Sequence, residues 1–188
     1  MNYEGIIAIF AHDMSDFKFR TATMQDAERI WTLMQQAKAQ MYREGKQQWD
    51  ESYPLPCHIE ADIAKGYAHV LCLEDVVVAY GAVAFDGEPA YDVIEGEWLS
   101  VQPYVVVHRL AVADEVKRQG VATRFMQEVE RLAVAHGVFS FKVDTNYDNF
   151  YMQRMMKTLG FTHCGTIHYP RGERMGYEKE LRIMIYDL

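Results

Sequence analysis

The densest concentration of potential chemistry lies in the run Val116, Lys117, Arg118, Gln119, Gly120, Val121, Ala122 and Thr123, where a basic stretch leads into a glycine and an alanine two positions apart. Apolar spacing predicts that a helix begins there. The first N–H groups of a helix have no internal partner and sit at the positive end of its dipole, so they bind phosphate, and small residues let a pyrophosphate approach the backbone. Lys117 and Arg118 add positive charge. The same residues also suit a tight strand-to-helix turn with solvated basic side chains. A Walker loop is excluded because no G-x-x-x-x-G-K-[ST] is present, and a dinucleotide fingerprint because two glycines of G-x-G-x-x-G are missing.

The elements that must position this loop follow from periodicity. Residues 17–21 read as a first strand, and Thr23 with Asp26 three residues later forms a capping box. Ala27, Ile30, Leu33, Met34, Ala37 and Met41 then paint one face of a helix that stops near Gly45. Pro54 and Pro56 break the polar, aromatic-rich loop that follows, and residues 59–65 are predicted to form a short helix ending at Gly66. Residues 68–73 and 76–85 form a hairpin around Glu74 and Asp75. An acidic loop carrying Glu88, Asp92, Glu95 and Glu97 leads to the apolar run 104–112, expected to be a central strand covered on both faces.

Beyond the basic loop, Val121, Phe125, Val129, Leu132 and Ala133 mark a second long helix, and residues 139–145 the next strand, with Phe141 and Val143 alternating against Lys142 and Asp144. Strand, helix, strand makes these two strands parallel. A third helix carries Met152, Met155, Met156 and Leu159, and strands follow at 162–169 and 174–181. The expectation is one domain over residues 1–188, an α/β fold (α+β by some schemes) with a mixed sheet of about six or seven strands flanked by helices. Residues 1–16 are left unassigned; an apolar stretch within 3–10 is expected to add a strand or cover a partner, such as a second copy in a homodimer.

The motifs resemble the GNAT superfamily, whose central strand ends in a Leu-Ala-Val-like tripeptide followed by [Q/R]-x-x-G-x-[G/A] at a helix start. Leu110, Ala111 and Val112 match the first part and Lys117 to Ala122 the second, with Lys117 standing where Gln or Arg is usual. Asn149, Gly160 and Phe161 fall in a second family block. Glu88-Pro89-Ala90-Tyr91 and Tyr177-Glu178-Lys179 are similar to an uncharacterised bacterial group within it. The resemblance implies acetyl-CoA as co-substrate, its pyrophosphate on the amides of Arg118, Gln119, Gly120, Val121, Ala122 and Thr123. The pantetheine would pair like a strand with Leu110, Ala111 and Val112. A neutral amine would attack the thioester directly while a backbone N–H steadies the oxyanion.

An amine of pKa about 10 needs a base. His108, two residues before Leu110 and expected on the same face as Leu110 and Val112, is one candidate, against a buried structural histidine. Glu97, with Glu95 and Asp92, is the other, against a solvated acidic loop. The family's tyrosine that protonates the thiolate is replaced by Met156, which leaves Tyr151 or Tyr147 to serve, or an unaided thiolate. Trp49, Tyr53, Tyr91 and Trp98 either box an amine or pack beneath loops.

A net charge of -8 argues against nucleic acid as partner and suits a cationic small-molecule or peptide amine. No apolar run approaches the roughly 20 residues that span a bilayer, so a cytoplasmic protein is expected. Cys57, Cys72 and Cys164 form no C-x-x-C pair and read as small buried thiols, with no metal site. Two further readings stay open: a catalytically impaired GNAT-fold protein that binds acyl-CoA or a partner, and a nucleotide-binding module.

Overall fold

The computed structural model describes residues 17–46 and 48–182, so the expectation for residues 3–10 lies outside the described residues. The elements are β1 Phe17–Thr21, α1 Ala27–Arg43, α2 Pro56–Ala64, β2 Ala68–Leu73, β3 Val76–Ala84, β4 Glu95–Gly96, β5 Val105–Val112, α3 Val121–Ala135, β6 Ser140–Thr145, α4 Phe150–Thr158, β7 Thr162–Tyr169 and β8 Gly172–Glu180. α1 is entered through the capping box: the Thr23 amide donates to Asp26 Oδ2 at 2.8 Å, and Arg20 clamps the same carboxylate with two 2.8 Å bonds. α2 starts three residues earlier than predicted, because Pro56 occupies its first turn, where a missing N–H costs nothing.

One eight-stranded sheet runs in the order β1-β2-β3-β5-β6-β8-β7-β4. Its eighth strand, the two-residue β4, is too short for periodicity to reveal. It exists because Gly96 and Gly165 face each other: a Cβ at Gly96 would lie 2.2 Å from the Cys164 carbonyl oxygen. Ile30, Leu33 and Met34 of α1 and Phe125, Met126 and Val129 of α3 are fully buried against the sheet. Side chains of this size each stabilise by about 1.5–3 kcal/mol. A second, smaller cluster of Ala84, Tyr91, Val106 and Ile167 lies on the sheet face opposite Val83, Val105 and Val107.

Two irregularities shape the centre. β5 and β6 are parallel, as expected, yet they pair only at Val105–Phe141 and Val106–Lys142. Beyond that the strands part. Against β3, His108 faces Ala82 and Ala111 faces Tyr80, so β5 spends three residues where β3 spends two. This bulge contains Arg109 at φ 56°. It breaks the alternation assumed from sequence: Ala111, rather than Leu110 or Val112, shares the face of His108.

Glu178 explains the Tyr177-Glu178-Lys179 motif structurally. Fully buried, it accepts from the Leu99 amide at 2.7 Å and from the Ser100 and Ser140 hydroxyls at 2.6 and 2.7 Å, tying the 98–100 segment to β6 and β8. Cys72 is buried, but Cys57 is exposed, at odds with the expectation of three buried thiols. No helix among the described residues is long and apolar enough to cross a membrane, and no cluster of metal-ligating side chains occurs among them.

Candidate active site

Where β5 and β6 part, a cavity of about 440 Å³ opens. Val107, His108, Arg109 and Leu110 line it from β5, Val143, Asp144 and Thr145 from β6, and Asn149 and Met152 from α4. β5 is therefore not covered throughout: Val105, Val106 and Val107 are buried, while His108, Arg109 and Leu110 are only partly so.

His108 and Asp144 lie two residues beyond Val106 and Lys142, which are paired partners, so both project from the same face across the split. Nε2 of His108 is 3.4 Å from Glu88 Oε2. Burial pushes this imidazole below its ordinary range, with Asp144 and Glu88 pulling it back up and Arg109 pushing it further down. It is neutral at pH 7 and able to accept a proton. Asp144 Oδ2 accepts from Tyr91 at 2.8 Å and Tyr169 at 3.0 Å. Burial and then the Asp144 charge drive both phenols well above their usual pKa, so they stay protonated and hold the carboxylate in place.

Arg109 is fixed by the bulge. Its Nε and Nη2 donate to Asp62 at 2.8 and 2.6 Å, and Nη1 donates to the Tyr53 hydroxyl at 2.9 Å. Tyr80 adds a third bond to Asp62. These residues lock α2 to the strand at the point where the strand turns toward the loop.

The loop between β5 and α3 is shaped by two left-handed residues within three positions, Arg118 at φ 63° and Gly120 at φ 78°. Gly120 caps α3, and the first intrahelical amide bond runs from Arg124 to the Gly120 carbonyl at 2.9 Å, so the amides of Val121, Ala122 and Thr123 lack intrahelical acceptors. A Cβ at Gly120 would meet nothing within 4 Å, so the approach to these amides is open. Lys117 departs from the expectation that it charges this loop: its Nζ is engaged by Asp114 and Gln40.

The other predicted residues divide. Leu110 lines the cavity, while Ala111 and Val112 face Tyr80 and Ala79 across the ladder. Asn149 lines it too, with its side chain capping α4 through the Met152 amide at 3.3 Å. Glu97 is exposed just after β4 and is not part of the lining. Tyr151 is 62% exposed outside the cavity, beneath the Lys46 ammonium. Met156 is fully buried, and Tyr147 is bonded to Thr166. Of the four aromatics, Trp49 and Tyr53 line the cavity, whereas Tyr91 and Trp98 pack together beneath the acidic loop. Asp144, Asp62, Tyr169 and Arg174 were not singled out from sequence. For Asp144 a signal existed, since a carboxylate within a central strand needs a reason to be there.

Residues 27–161 match the model of the acetyltransferase (GNAT) family. The fold is similar to that of a GNAT-family acetyltransferase from Streptococcus agalactiae, with a TM-score of 0.81 and 32% identity over 88% of this chain and 96% of that one. It is also similar to a GNAT-family acetyltransferase from Listeria monocytogenes, at a TM-score of 0.71 and 21% identity, covering 88% of this chain and 95% of that one, a likeness of fold alone. Comparison with curated proteins gives no match. The family match across the helices, the split strands and the loop that opens α3, together with a relative this similar over nearly its whole length, shows that the chain belongs to the GNAT acetyltransferase family.

Proposed function

We propose that the chain transfers an acetyl group from acetyl-CoA to a primary amine by direct attack, with both substrates bound at once. The observation that carries this reading is the early end of the β5–β6 pairing, which leaves the β5 edge from Val107 onward unpaired toward β6, on the strand that leads into the start of α3. An unpaired strand edge takes up an extended polar arm, and a helix N-terminus takes up a diphosphate. Acetyl-CoA supplies the activated acyl group when bound; Leu110, Ala111 and Val112 would hold the arm, and the amides of residues 118–123 the diphosphate.

The chain's own residues handle the protons. Asp144 attracts the ammonium, and His108, neutral and backed by Glu88, takes one proton from it to free the lone pair. The C–N bond forms as the C–S bond breaks. Met156 cannot supply the sulfur's proton, and the protonated His108 is the group in the cavity able to return one. The test is thiol release from acetyl-CoA across a panel of primary amines. Amine-dependent release that is lost in His108→Gln is expected; binding of acetyl-CoA with no release over a broad panel would instead favour a non-catalytic acyl-CoA sensor.

A further inference from the structure

Three guanidinium groups, those of Arg109, Arg171 and Arg174, line a cavity whose proposed acceptor is a cation. A bare amine gives them nothing to do, so their partners decide what they are for. Arg109 is saturated by Asp62 and Tyr53. Arg171, in the turn between β7 and β8, is neutralised by Asp50 and donates to the Ser52 hydroxyl at 3.1 Å, closing the turn against the segment before α2. Arg174 is different: its Nη1 donates to the Glu173 carbonyl at 2.9 Å, and no carboxylate lies within ion-pair distance of it among the described residues.

The opposite charge is equally available. Both phenols that hold Asp144 converge on Oδ2, leaving Oδ1 without a hydrogen bond among the described residues. Register relates the two groups. Asp144 faces Gly176 across the β6–β8 ladder, and Arg174 lies two positions along β8, hence on the same face. Such diagonal neighbours are roughly 7–8 Å apart. Asp144 and Arg174 thus project from one face into one cavity from neighbouring backbone positions, one carrying a free acidic oxygen and the other an unpaired guanidinium, which rests toward the β7–β8 turn beside Gly172.

Building on the acetyl-transfer reading, we propose that the acceptor is a small amino acid, its ammonium held at Asp144 Oδ1 and its carboxylate by Arg174. The cavity's 440 Å³ must also admit the acyl end of the donor, which favours a compact zwitterion over a long polyamine. The chemistry balances: the nitrogen loses two protons, the first passing through His108 to solvent as the lone pair is freed, and the second taken up by His108 once the N–C bond has formed and returned to the CoA thiolate as the C–S bond breaks. Arg174 touches the substrate's carboxylate and takes no part in bond making, so it sets specificity.

The experiment compares thiol release from acetyl-CoA with free amino acids, the matching carboxamides and the matching decarboxylated amines. The free acids should show kcat/KM at least about tenfold above their carboxamides, the scale of one charge-assisted contact. Arg174→Met should bring that ratio toward unity, and Arg174→Lys should restore part of it. Equal or better turnover of carboxamides or decarboxylated amines by the unaltered protein overturns the inference and leaves acetyl transfer standing. So does an Arg174→Met variant in which all three classes fall alike. Bound acetyl-CoA with no turnover of any acceptor overturns both.

Discussion

Replacing Asp62 with alanine should be among the most damaging single changes, and its size follows from the burial. Asp62 and Arg109 side chains are 6% and 15% exposed, and the carboxylate accepts two charged bonds from Arg109 and one from Tyr80. Removing it leaves a buried guanidinium without a counter-charge, which costs about 3–5 kcal/mol. For a chain of this size each kcal/mol moves Tm by about 2–4 °C, so Asp62→Ala should melt roughly 6–20 °C lower. The same pair pins the β5 bulge beside His108, so kcat/KM should fall by more than the unfolded fraction accounts for. Urea denaturation and thermal melts give the first figure, and turnover well below the new Tm gives the second. A stability loss under about 1 kcal/mol would refute the reasoning, because it would mean that Arg109 finds solvent without strain.

Other outcomes follow from the same geometry. His108→Gln should lower kcat by about 10²–10⁴-fold, and the wild-type kcat/KM profile should show an acidic limb with its midpoint below 6.5, since burial lowers this imidazole; a limb near pH 8–9 would contradict His108 as the base. Burial also depresses His69, so the unfolded chain binds more protons than the folded one as pH falls below 6.5, and stability drops by up to about 1.4 kcal/mol per unit of depression for each histidine. His69→Gln should flatten this dependence between pH 6.5 and 5 in urea melts. Glu178→Ala should cost about 1–3 kcal/mol, since it strands the fully buried Ser140 hydroxyl and removes the acceptor of the Leu99 amide and the Ser100 hydroxyl.

Much of this architecture is legible in the sequence because its signals are local. The spacing of Ile30, Leu33 and Met34, or of Phe125 and Val129, reports a buried helix face directly, and Gly120 with Ala122 marks the helix start that the structure shows. What escapes is set by pairing between distant segments. The bulge at Arg109 depends on β3 and on Asp62, 47 residues away, so an alternation rule applied to β5 alone assigns Leu110 to the wrong face. β4 depends on one glycine meeting another across the sheet. Asp144 becomes a site residue only once Tyr91 and Tyr169 converge on it from separate elements, and Glu97, plausible by charge, proves exposed and outside the cavity.

The most direct test of the central claim is the thermal stability of the protein with acetyl-CoA, beside free CoA and ATP, repeated with Gly120→Val. Ligand at one hundred times its Kd adds about 2.7 kcal/mol, which should raise Tm by roughly 5–11 °C. The account predicts such a rise with acetyl-CoA and CoA, little with ATP, and its loss in Gly120→Val, where a β-branched residue is forced to φ 78° at the mouth of the loop. No shift at millimolar acetyl-CoA, or a shift that survives Gly120→Val unchanged, would contradict it.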